Sequence, residues 1–352
     1  MAGNIKVNLK ERSYEIIIGS GKLEELKEYV KNKSRIIIIT DYTVGSLYGK
    51  KLQKTIKASS LIEIPPGEKY KSLSTAAAVY DKMIGLNAAR DSLVVALGGG
   101  VIGDLSGFVA ATYMRGIDLI QVPTTLLAMV DASIGGKTAV DHKMGKNLIG
   151  AFYQPKKVII DTDALNTLPP GELKNGLAEV LKYGLIKDTS IIDVLDSNPK
   201  ISANFWESII IRCAKIKADI VSKDERELSG ERMILNFGHT IGHAVESLSK
   251  YKKYSHGEAV GFGMLAASRI ALNKKLIDVN KYEMIKNLIK KLKLPDKVNV
   301  MVKNILESVK MDKKVRNGKI NFVLPVDIGK VKVFNDVSDQ AIKEALMELG
   351  CK

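Results

Sequence analysis

The chain has 352 residues, more than one hydrophobic core usually serves, and its 45% hydrophobic and 26% charged residues are typical of a globular protein with two domains. No apolar run is long enough to span a membrane, no secretory signal is expected at the N-terminus, and the two cysteines, Cys213 and Cys351, fit a reducing cytoplasm. The net charge of +15 is carried by lysines scattered along the sequence without an aromatic-interleaved basic stripe, so neither a nucleic acid nor a membrane is expected as a partner.

The first half of the sequence alternates short apolar runs with amphipathic stretches. The runs predict strands at Ile5–Leu9, Tyr14–Ile18, Arg35–Thr40, Leu61–Ile64, Ser92–Leu97, Asp118–Val122 and Lys157–Ile160. The intervening stretches predict helices at Gly21–Asn32, Thr43–Lys57 and Ser72–Leu86. Such alternation favours βαβ units and a mainly parallel sheet, opened by a hairpin of the first two strands.

The pattern changes at Pro169-Pro170-Gly171. Helices are expected in succession from there to about Leu292, followed by a late hairpin of Lys319–Leu324 and Lys330–Phe334. We therefore expect an α/β protein in two domains. Residues 1–168 would form an N-terminal Rossmann-like nucleotide-binding domain, and residues 169–352 a mostly α-helical C-terminal domain.

A glycine-rich turn, Gly98-Gly99-Gly100-Val101-Ile102-Gly103-Asp104, joins the strand Ser92–Leu97 to the helical stretch Leu105–Met114. Its pattern satisfies G-x-G-x-x-G, in which glycines let the backbone approach a pyrophosphate whose charge the helix N-terminus favours. A simple packing turn is the alternative. The order of strand, glycines and helix favours dinucleotide binding.

Three of the four histidines, His239, His243 and His256, lie close together in the sequence. His239 and His243 are spaced i,i+4, so both can face one site. Glu179 lies in an earlier helical stretch, one turn before Lys182. Two imidazoles and one carboxylate suit a catalytic zinc site that leaves coordination positions open. The alternative is capping or core histidines with a surface glutamate–lysine pair.

Cationic and polar residues gather in segments that would suit an anion. The glycine-rich segment Ser133–Gly150 is expected to form loops. In or beside these segments lie Arg115, Asp131, Lys137, Lys146, Asn147, Lys217, Arg232 and Asn236. Any one of them is explained as a solvated charge, whereas together they would suit a substrate that carries both a carboxylate and a phosphate.

Five long strings carry a resemblance to a known family: GGGVIGDLSGFVAATYMRG, QVPTTLLAMVDASIGGKTAVDHKMGKN, LPPGELKNGLAEVLKYG, NFGHTIGHAVES and SHGEAVGFGM. With the DKK near residue 313, the chain resembles the 3-dehydroquinate synthases, in the sugar-phosphate cyclase superfamily, over essentially its whole length. The next most similar families are the other cyclases of this superfamily, then glycerol-1-phosphate dehydrogenase, which shares the fold, NAD and metal.

The resemblance implies three sets of site residues. Zn²⁺, or Co²⁺ in its place, would be held by Glu179, His239 and His256. NAD⁺ would contact Asp41, Glu68, Lys71, Gly99, Gly100, Val101, Gly103, Asp104, Thr124, Thr125, Lys137, Lys146, Thr167 and Leu168. The substrate phosphate would contact Lys137, Asn147, one of Lys313 and Lys314, and Arg115 of a neighbouring subunit. Its carboxylate and hydroxyls would contact Asp131, Lys146, Lys182, Lys217, Arg232 and Asn236, and His243 would assist proton transfer.

The activity that the resemblance implies is conversion of 3-deoxy-D-arabino-heptulosonate 7-phosphate to 3-dehydroquinate and phosphate in the shikimate pathway, by a cytoplasmic homodimer. NAD⁺ would take a hydride from C5, the resulting ketone would acidify C6–H so that phosphate leaves, and NADH would return the hydride before ring opening and aldol closure. Two alternatives stay open. Other cyclases use substrates without a carboxylate, and an NAD-dependent polyol-phosphate dehydrogenase would accumulate NADH.

The implied nucleotide residues precede residue 168, whereas the implied metal ligands follow it. Hydride transfer needs reacting atoms within about 3–3.5 Å, so the two domains are expected to meet across a cleft that narrows on substrate or phosphate. Pro169-Pro170-Gly171 would then serve as the hinge.

Overall fold

The computed structural model describes residues 3–197, 202–249, 252–315 and 320–352, and within 312–315 it describes the backbone alone. The side chains of Lys313 and Lys314 and the expected strand start at Lys319 therefore lie outside the description. The strands are β1 Gly3–Val7, β2 Tyr14–Gly19, β3 Ile36–Asp41, β4 Ser59–Ile64, β5 Leu93–Gly98, β6 Asp118–Pro123, β7 Lys137–His142, β8 Gly145–Phe152, β9 Lys157–Asp161, β10 Phe322–Asp327 and β11 Lys330–Phe334. The helices are α1 Lys22–Tyr29, α2 Tyr42–Val44, α3 Lys50–Thr55, α4 Leu73–Gly85, α5 Gly100–Thr112, α6 Pro170–Ile186, α7 Thr189–Asp196, α8 Ala203–Lys223, α9 His239–Leu248, α10 His256–Asn273, α11 Val279–Lys291, α12 Val302–Val315 and α13 Asp339–Glu348.

The chain divides into two compact units. The first contains Met1–Pro169 and Ile201–Arg226, and the second contains Pro170–Lys200 and Glu227–Lys352. The expected boundary after residue 168 left Ile201–Arg226 in the second domain, whereas the structure groups it with the first. The reason is local, because α8 lies against β1 and the Ser222 hydroxyl accepts a hydrogen bond from the backbone N–H of Asn8 over 2.9 Å.

The first unit is built around a sheet whose strands, in the described residues, run in the order β1-β2-β9-β6-β5-β3-β4. All neighbouring pairs are parallel except β1 and β2, which form the expected antiparallel hairpin. From β3 the chain moves outward to β4 and then returns to β5 on the other side. The point where this direction reverses therefore lies between β3 and β5. In open α/β sheets, ligands bind at the carboxyl ends of the strands beside such a point.

Side chains of the central strands point alternately to the two faces of the sheet and fill a separate hydrophobic core on each face. Ile37 and Ile39 face a core shared with α4 and α5. Ile36 and Ile38 face the opposite core, shared with α1 and α3. Because successive strand residues point to opposite faces, a continuous isoleucine run is what a sheet covered by helices on both sides requires. This confirms the α/β class expected from the apolar runs.

Two segments of the first unit differ from the expectations. Loops were expected across Ser133–Gly150, but β7 and β8 form an antiparallel hairpin there, so that expectation is wrong. The glycines made the segment resemble a loop, yet Gly150 lies inside β8, where a Cβ atom would overlap the Thr138 carbonyl oxygen. The helix expected at Thr43–Lys57 is interrupted, because a wider π turn, Gly45–Gly49, separates α2 from α3.

The second unit is mostly helical, and β10 and β11 pair antiparallel as the late hairpin. Its helices approach closely at glycines. A Cβ atom on Gly263 in α10 would overlap the carbonyl oxygen of Gly238, which precedes α9, and one on Gly257 would overlap Asn175 in α6. Three helices that carry histidine or glutamate candidates are therefore packed together. No helix in the described part of the chain has both the length and the apolar character needed to cross a membrane.

Candidate functional site

The glycine turn lies at the reversal point of the sheet. β5 ends at Gly98 and α5 begins at Gly100, while β3 ends beside it at Asp41. The Asp41 carboxylate accepts hydrogen bonds from the backbone N–H groups of Thr43 and Val44 at 2.9 and 3.0 Å. Parallel strands place both strand ends at one edge, so Asp41 and the N-terminus of α5 share the position where nucleotides bind in such sheets.

The turn has the close packing that a dinucleotide cradle requires. A Cβ atom on Gly103 would lie 2.9 Å from Oε1 of Gln121, and one on Gly99 would lie 3.0 Å from Cγ2 of Thr125. A Cβ atom on Gly100 would meet nothing nearer than 3.6 Å, so the outer side of the turn stays accessible to a ligand. These residues fit a bound pyrophosphate. Three more expected NAD⁺ contacts, Thr124, Thr167 and Leu168, also follow the ends of β6 and β9.

A buried lysine connects the expected NAD⁺ residues with the β7–β8 hairpin. The Lys71 ammonium lies 3.2 Å from the carboxylates of both Glu68 and Asp104 and 3.7 Å from that of Asp141. It also donates a hydrogen bond of 2.7 Å to Oδ1 of Asn147. The Lys146 ammonium lies 3.3 Å from Oε1 of Glu68, the same oxygen that Lys71 faces. Two expected substrate residues are thus joined to three expected NAD⁺ residues.

One ammonium shared by three carboxylates cannot fully compensate each of them. Burial by itself lowers the pKa of an ammonium, but the neighbouring carboxylates, that of Asp104 foremost, raise the pKa of Lys71 above its ordinary value. Burial raises the pKa of Asp104 to about 6, and the attraction of Lys71 offsets only part of that effect. Lys71 is therefore a permanent cation, whereas Asp104 changes charge near pH 6.

The remaining polar candidates of the first unit lie in three places. The Lys217 ammonium, on α8, lies 3.0 Å from Oδ1 of Asp131, so these two expected substrate residues form one ion pair. Lys137 begins β7 and is exposed. Arg115 is exposed beyond the C-terminal end of α5 and has a left-handed backbone with φ of 69°. Such a conformation is uncommon for arginine and is more frequent at functional positions.

The second unit brings Glu179, His239 and His256 together. Oε1 of Glu179 lies 3.5 Å from Nε2 of His239 and 3.4 Å from Nε2 of His256. The Glu179 side chain is completely buried, and its other oxygen, Oε2, pairs with the Lys182 ammonium. Lys182 is buried too, so it fixes the carboxylate with Oε1 turned toward the two imidazoles.

The spacing of these atoms fits a tetrahedral cation. Ligand bonds of about 2.0–2.2 Å at tetrahedral angles separate two ligand atoms by about 3.4 Å. The two separations measured from Glu179 are 3.5 and 3.4 Å. The ligand atoms of all three side chains lie within 4.8 Å of one another. Two imidazoles and one carboxylate are also the donors of open catalytic zinc sites. The residues therefore fit a divalent cation such as Zn²⁺ or Co²⁺.

The two imidazoles differ in their surroundings. Nδ1 of His239 lies 3.2 Å from the carbonyl oxygen of Phe237, which can only accept, so Nδ1 carries the proton and Nε2 the lone pair. Burial lowers the pKa of His239 to about 3. Burial also disfavours the charged form of His256, but hydrogen bonds with Glu179 and Glu246 raise its pKa to about 10. A bound cation would take the place of the proton that His256 holds.

The other candidates of the second unit have distinct positions. Arg232 is only 2% exposed, with its Nε atom 3.8 Å from Oε1 of Glu227. Arg232 and Asn236 belong to the same 3-10 helix, Glu231–Asn236. Asn236 is its last residue and is partly exposed. His243 is exposed, and its ring lies edge-on to that of His239 with centroids 5.2 Å apart.

Two residues at the site were not predicted from the sequence. Asp141 faces Lys71 and accepts the backbone N–H of Asn147 at 3.0 Å, which holds Asn147 at a φ of 56°. Glu246 places Oε2 3.2 Å from Nδ1 of His256. The second had a detectable signal, since Glu246 follows His243 by three residues on one helical face. The first had none, because its pairing with Lys71 joins two distant segments.

Comparisons with known proteins identify the family of the chain. The family model described as the 3-dehydroquinate synthase N-terminal domain matches residues 61–175, and that described as its C-terminal domain matches residues 176–315. A curated 3-dehydroquinate synthase from Desulforamulus reducens is 46% identical over 359 residues, which cover 98% of this chain and 100% of the relative.

Solved structures extend the similarity. The 2-epi-5-epi-valiolone synthase of Streptomyces hygroscopicus subsp. jinggangensis 5008, with NAD⁺ and Zn²⁺ bound, matches with a TM-score of 0.89 and 29% identity, over 97% of this chain and 98% of that one. A 2-deoxy-scyllo-inosose synthase complexed with carbaglucose-6-phosphate, NAD⁺ and Co²⁺ matches with a TM-score of 0.86 and 27% identity, over 98% and 100%. By its family models and near-full-length relatives, the chain belongs to the 3-dehydroquinate synthase family.

Proposed function

We propose that the chain is a carbon–oxygen lyase that uses NAD⁺ and a divalent metal to convert 3-deoxy-D-arabino-heptulosonate 7-phosphate to 3-dehydroquinate and phosphate, a step of aromatic amino acid biosynthesis by the shikimate pathway. The observation that carries the proposal is near-full-length similarity to curated 3-dehydroquinate synthases in a chain that gathers Glu179, His239 and His256. Two of the similar solved structures hold NAD⁺ with Zn²⁺ or Co²⁺, and one of these also holds carbaglucose-6-phosphate.

Each unit contributes one part of the chemistry. Asp41 and the Gly99-Gly100 turn would receive NAD⁺ at the reversal point of the first unit, whereas the Glu179 group would hold the cation in the second. When bound, NAD⁺ supplies a hydride acceptor and then a hydride donor, and the cation supplies a Lewis acid for the substrate hydroxyl. The first unit is then an NAD-binding domain and the second a metal- and substrate-binding domain.

The protein's own residues bind and orient a substrate with two anionic groups. Arg232 is buried with its guanidinium fixed, so it can meet a planar carboxylate with two parallel hydrogen bonds. Lys217, held by Asp131, would bind the carboxylate or a hydroxyl beside it. Lys137 and Asn147 would bind the phosphate, so that the leaving group departs into a fixed set of donors.

Proton transfer needs a group that can both accept and donate. The exposed imidazole of His243 lies beside His239 and is the side chain to which we assign this role. The His243 imidazole would accept a proton from the substrate, or donate one to it, at the Nδ1 or Nε2 atom of the ring. We assign Asn236, Lys182 and Lys146 to the substrate hydroxyls.

The proposal includes a homodimer in the cytoplasm. β8 pairs with β7 alone among the described strands, and it exposes Leu148 and Phe152 on one face at 60% and 42% of their surface. An exposed edge strand with apolar side chains is suited to meet another copy of the chain. The two cysteines are both free and buried, in keeping with a reducing compartment.

A single assay separates this function from its alternatives. The purified chain receives the heptulosonate phosphate, Zn²⁺ and NAD⁺ at about one-hundredth of the substrate, while released phosphate, 3-dehydroquinate and absorbance of NADH are followed. Equal amounts of phosphate and 3-dehydroquinate, exceeding NAD⁺ many times without lasting NADH, are expected. NADH in proportion to substrate consumed would instead identify a dehydrogenase.

The matched control in this assay is glucose 6-phosphate, a sugar phosphate without a carboxylate. A chain that releases phosphate from this control and not from the heptulosonate would be another cyclase. Arg232→Lys tests the same point inside the chain, because a lysine cannot form the bidentate pair with a carboxylate. We expect its kcat/KM for the heptulosonate to fall at least 100-fold, equal to about 2.7 kcal/mol of transition-state stabilisation.

A further inference from the structure

A buried carboxylate behind the metal group has no role in the reaction as assigned above. Glu246 lies on α9, its side chain is 6% exposed, and its Oε2 atom lies 3.2 Å from Nδ1 of His256. The other nitrogen of the same ring, Nε2, lies 3.4 Å from Oε1 of Glu179. His256 is thus held between two carboxylates, one on each nitrogen.

The two contacts fix which nitrogen of His256 can bind a cation. An ionised carboxylate only accepts hydrogen bonds, so Nδ1 donates its proton to Glu246, and the neutral ring presents its lone pair at Nε2. The Phe237 carbonyl oxygen does the same for His239 through its Nδ1 atom at 3.2 Å. Both rings therefore direct Nε2 toward Glu179. The difference is that His239 has a neutral acceptor, whereas His256 has a charged one.

We propose that Glu246 is a positioning residue for the cation, which selects the Nδ1-protonated form of His256 and increases the electron-donating strength of its Nε2 atom. The inference rests on the metal site of the proposed function and adds a residue to it. A carboxylate hydrogen-bonded to a ligating imidazole orients the ring and raises its basicity, and loss of such a partner weakens metal affinity by about 10–100-fold.

A second arrangement of the same side chains competes with this one. His243, Glu246 and His256 also have ligand atoms within 4.8 Å of one another, so Glu246 could itself be a ligand. That arrangement would use Nδ1 of His256 and leave Glu179 out. The burial favours the first arrangement, since Glu179 is completely buried and fixed by Lys182, whereas His243 is exposed.

The test measures Zn²⁺ affinity of the full chain by competition with a chromophoric chelator, apart from any activity. Glu246→Gln keeps the size and an oxygen acceptor but loses the charge, and should weaken Zn²⁺ binding about 10–100-fold. Glu246→Asp, which keeps the charge on a shorter arm, should recover part of the loss. Glu258→Gln is the matched control, because Glu258 caps the helix that His256 begins and accepts the backbone N–H of Ser255 at 3.0 Å. The Zn²⁺ affinity of Glu258→Gln should stay within about threefold of that of the unaltered chain. A purely structural role for Glu246 instead predicts that Glu246→Gln and Glu258→Gln lose equal Zn²⁺ affinity.

Two further variants distinguish positioning from ligation. His239→Ala should abolish Zn²⁺ binding and His243→Ala should leave it within about threefold; the reverse result would make Glu246 a ligand and overturn the proposal. Equal Zn²⁺ affinity of Glu246→Gln and the unaltered chain would overturn the role of Glu246 alone. If the unaltered chain binds no Zn²⁺, the metal site of the proposed function is wrong, and this role fails with it.

Discussion

The Nζ atom of Lys71 donates a hydrogen bond of 2.7 Å to Oδ1 of Asn147, a residue 76 positions away in the chain. Lys71 also faces Asp104, the fifth residue of α5, whereas Asn147 lies in β8. The bond therefore ties the helix N-terminus at which we place NAD⁺ to the hairpin at which we place the substrate phosphate. A substitution at the N-terminus of α5 should therefore affect the hairpin, and a substitution in the hairpin should affect the N-terminus of α5.

The first prediction is that Lys71→Met destabilises the fold. The substitution removes a 6% exposed ammonium and leaves three carboxylates near one another without their shared cation. Breaking a buried ion pair from one side costs about 3–5 kcal/mol, and protonation of Asp104 should limit the loss to about 3 kcal/mol. Urea unfolding followed by circular dichroism measures it. Lys51→Met is the control, because Lys51 and Glu24 are 72% and 73% exposed and solvent screens their pair, so its loss should have little effect on stability.

The same substitution should weaken NAD⁺ binding, since Asp104 of α5 loses its connection to the hairpin. Isothermal titration with NAD⁺ in the absence of substrate would show a rise in Kd of about 10-fold or more, with Lys51→Met unchanged. An unchanged Kd in a stable Lys71→Met chain would remove Lys71 from the nucleotide site.

The second prediction concerns pH. The pKa of Asp104 rises from an ordinary 3.8 to about 6 on folding, so the folded chain holds this proton more tightly than the unfolded chain. The resulting stabilisation is complete below pH of about 4 and is lost as the pH rises through about 6. The Asp104→Asn variant has no carboxyl group at this position, so its stability does not change with pH for this reason. Between pH 3 and 7, the unfolding free energy of the unaltered chain should fall by about 3 kcal/mol relative to that of the variant.

Asp327→Asn provides a control of opposite sign. Lys281 lowers the pKa of Asp327, so this carboxylate stabilises the fold above its ordinary pKa and the contribution is lost as the pH falls. Because the Asp327 side chain is 55% exposed, the change should be small. If the difference in unfolding free energy between the unaltered chain and Asp104→Asn does not change with pH, burial does not raise the pKa of Asp104.

The third prediction is that a divalent cation stabilises the chain and is required for activity. Dialysis against a chelator should abolish phosphate release, and Zn²⁺ or Co²⁺ should restore it. Free Zn²⁺ at 100 times its Kd should add about 2.7 kcal/mol to the unfolding free energy. His239→Ala should lose both effects, whereas His142→Ala, which changes the one histidine outside the cluster, should keep them. Full activity in a chain shown to be metal-free would contradict the assignment.

Much of the fold follows from patterns that act locally. The isoleucine runs of β2 and β3 and the glycines after β5 require no distant partner to be recognised, because a strand covered on both faces must be apolar throughout. The β7–β8 hairpin was missed for the opposite reason. β8 contains two glycines and begins with Gly145-Lys146-Asn147, so its pattern is that of a loop until its pairing with β7 is known.

The candidate site divides in the same way. Residues that would touch a cofactor belong to compact motifs, as Gly99 and His239 do, and the sequence reveals them together with their chemistry. Asp141 and Glu246 act on other side chains, and their partners Lys71 and His256 are fixed only when separate segments pack. Long-range pairing of this kind is decided by tertiary structure, which no local pattern encodes.

The last prediction is that two copies of the chain share an active site through Arg115. From Asp104 to the end of α5 at Thr112 the helix rises about 12 Å, at about 1.5 Å per residue, and Arg115 lies three residues beyond that end. An exposed arginine with a strained backbone, beyond the far end of α5 from Asp104, is suited to a neighbouring subunit.

Mixing two inactive variants gives a direct test. Arg115→Ala chains keep the metal residues, and His239→Ala chains keep the arginine, so a mixed dimer rebuilds one complete site from both. After exchange of subunits, activity should rise to about one-quarter of that of the unaltered protein: half of the dimers are mixed, and each of these has one complete site of two. Arg90→Ala, which removes another exposed arginine, should be active without mixing and serves as the control for a general loss of charge. If mass spectrometry confirms mixed dimers and no activity returns, Arg115 does not serve the neighbouring subunit.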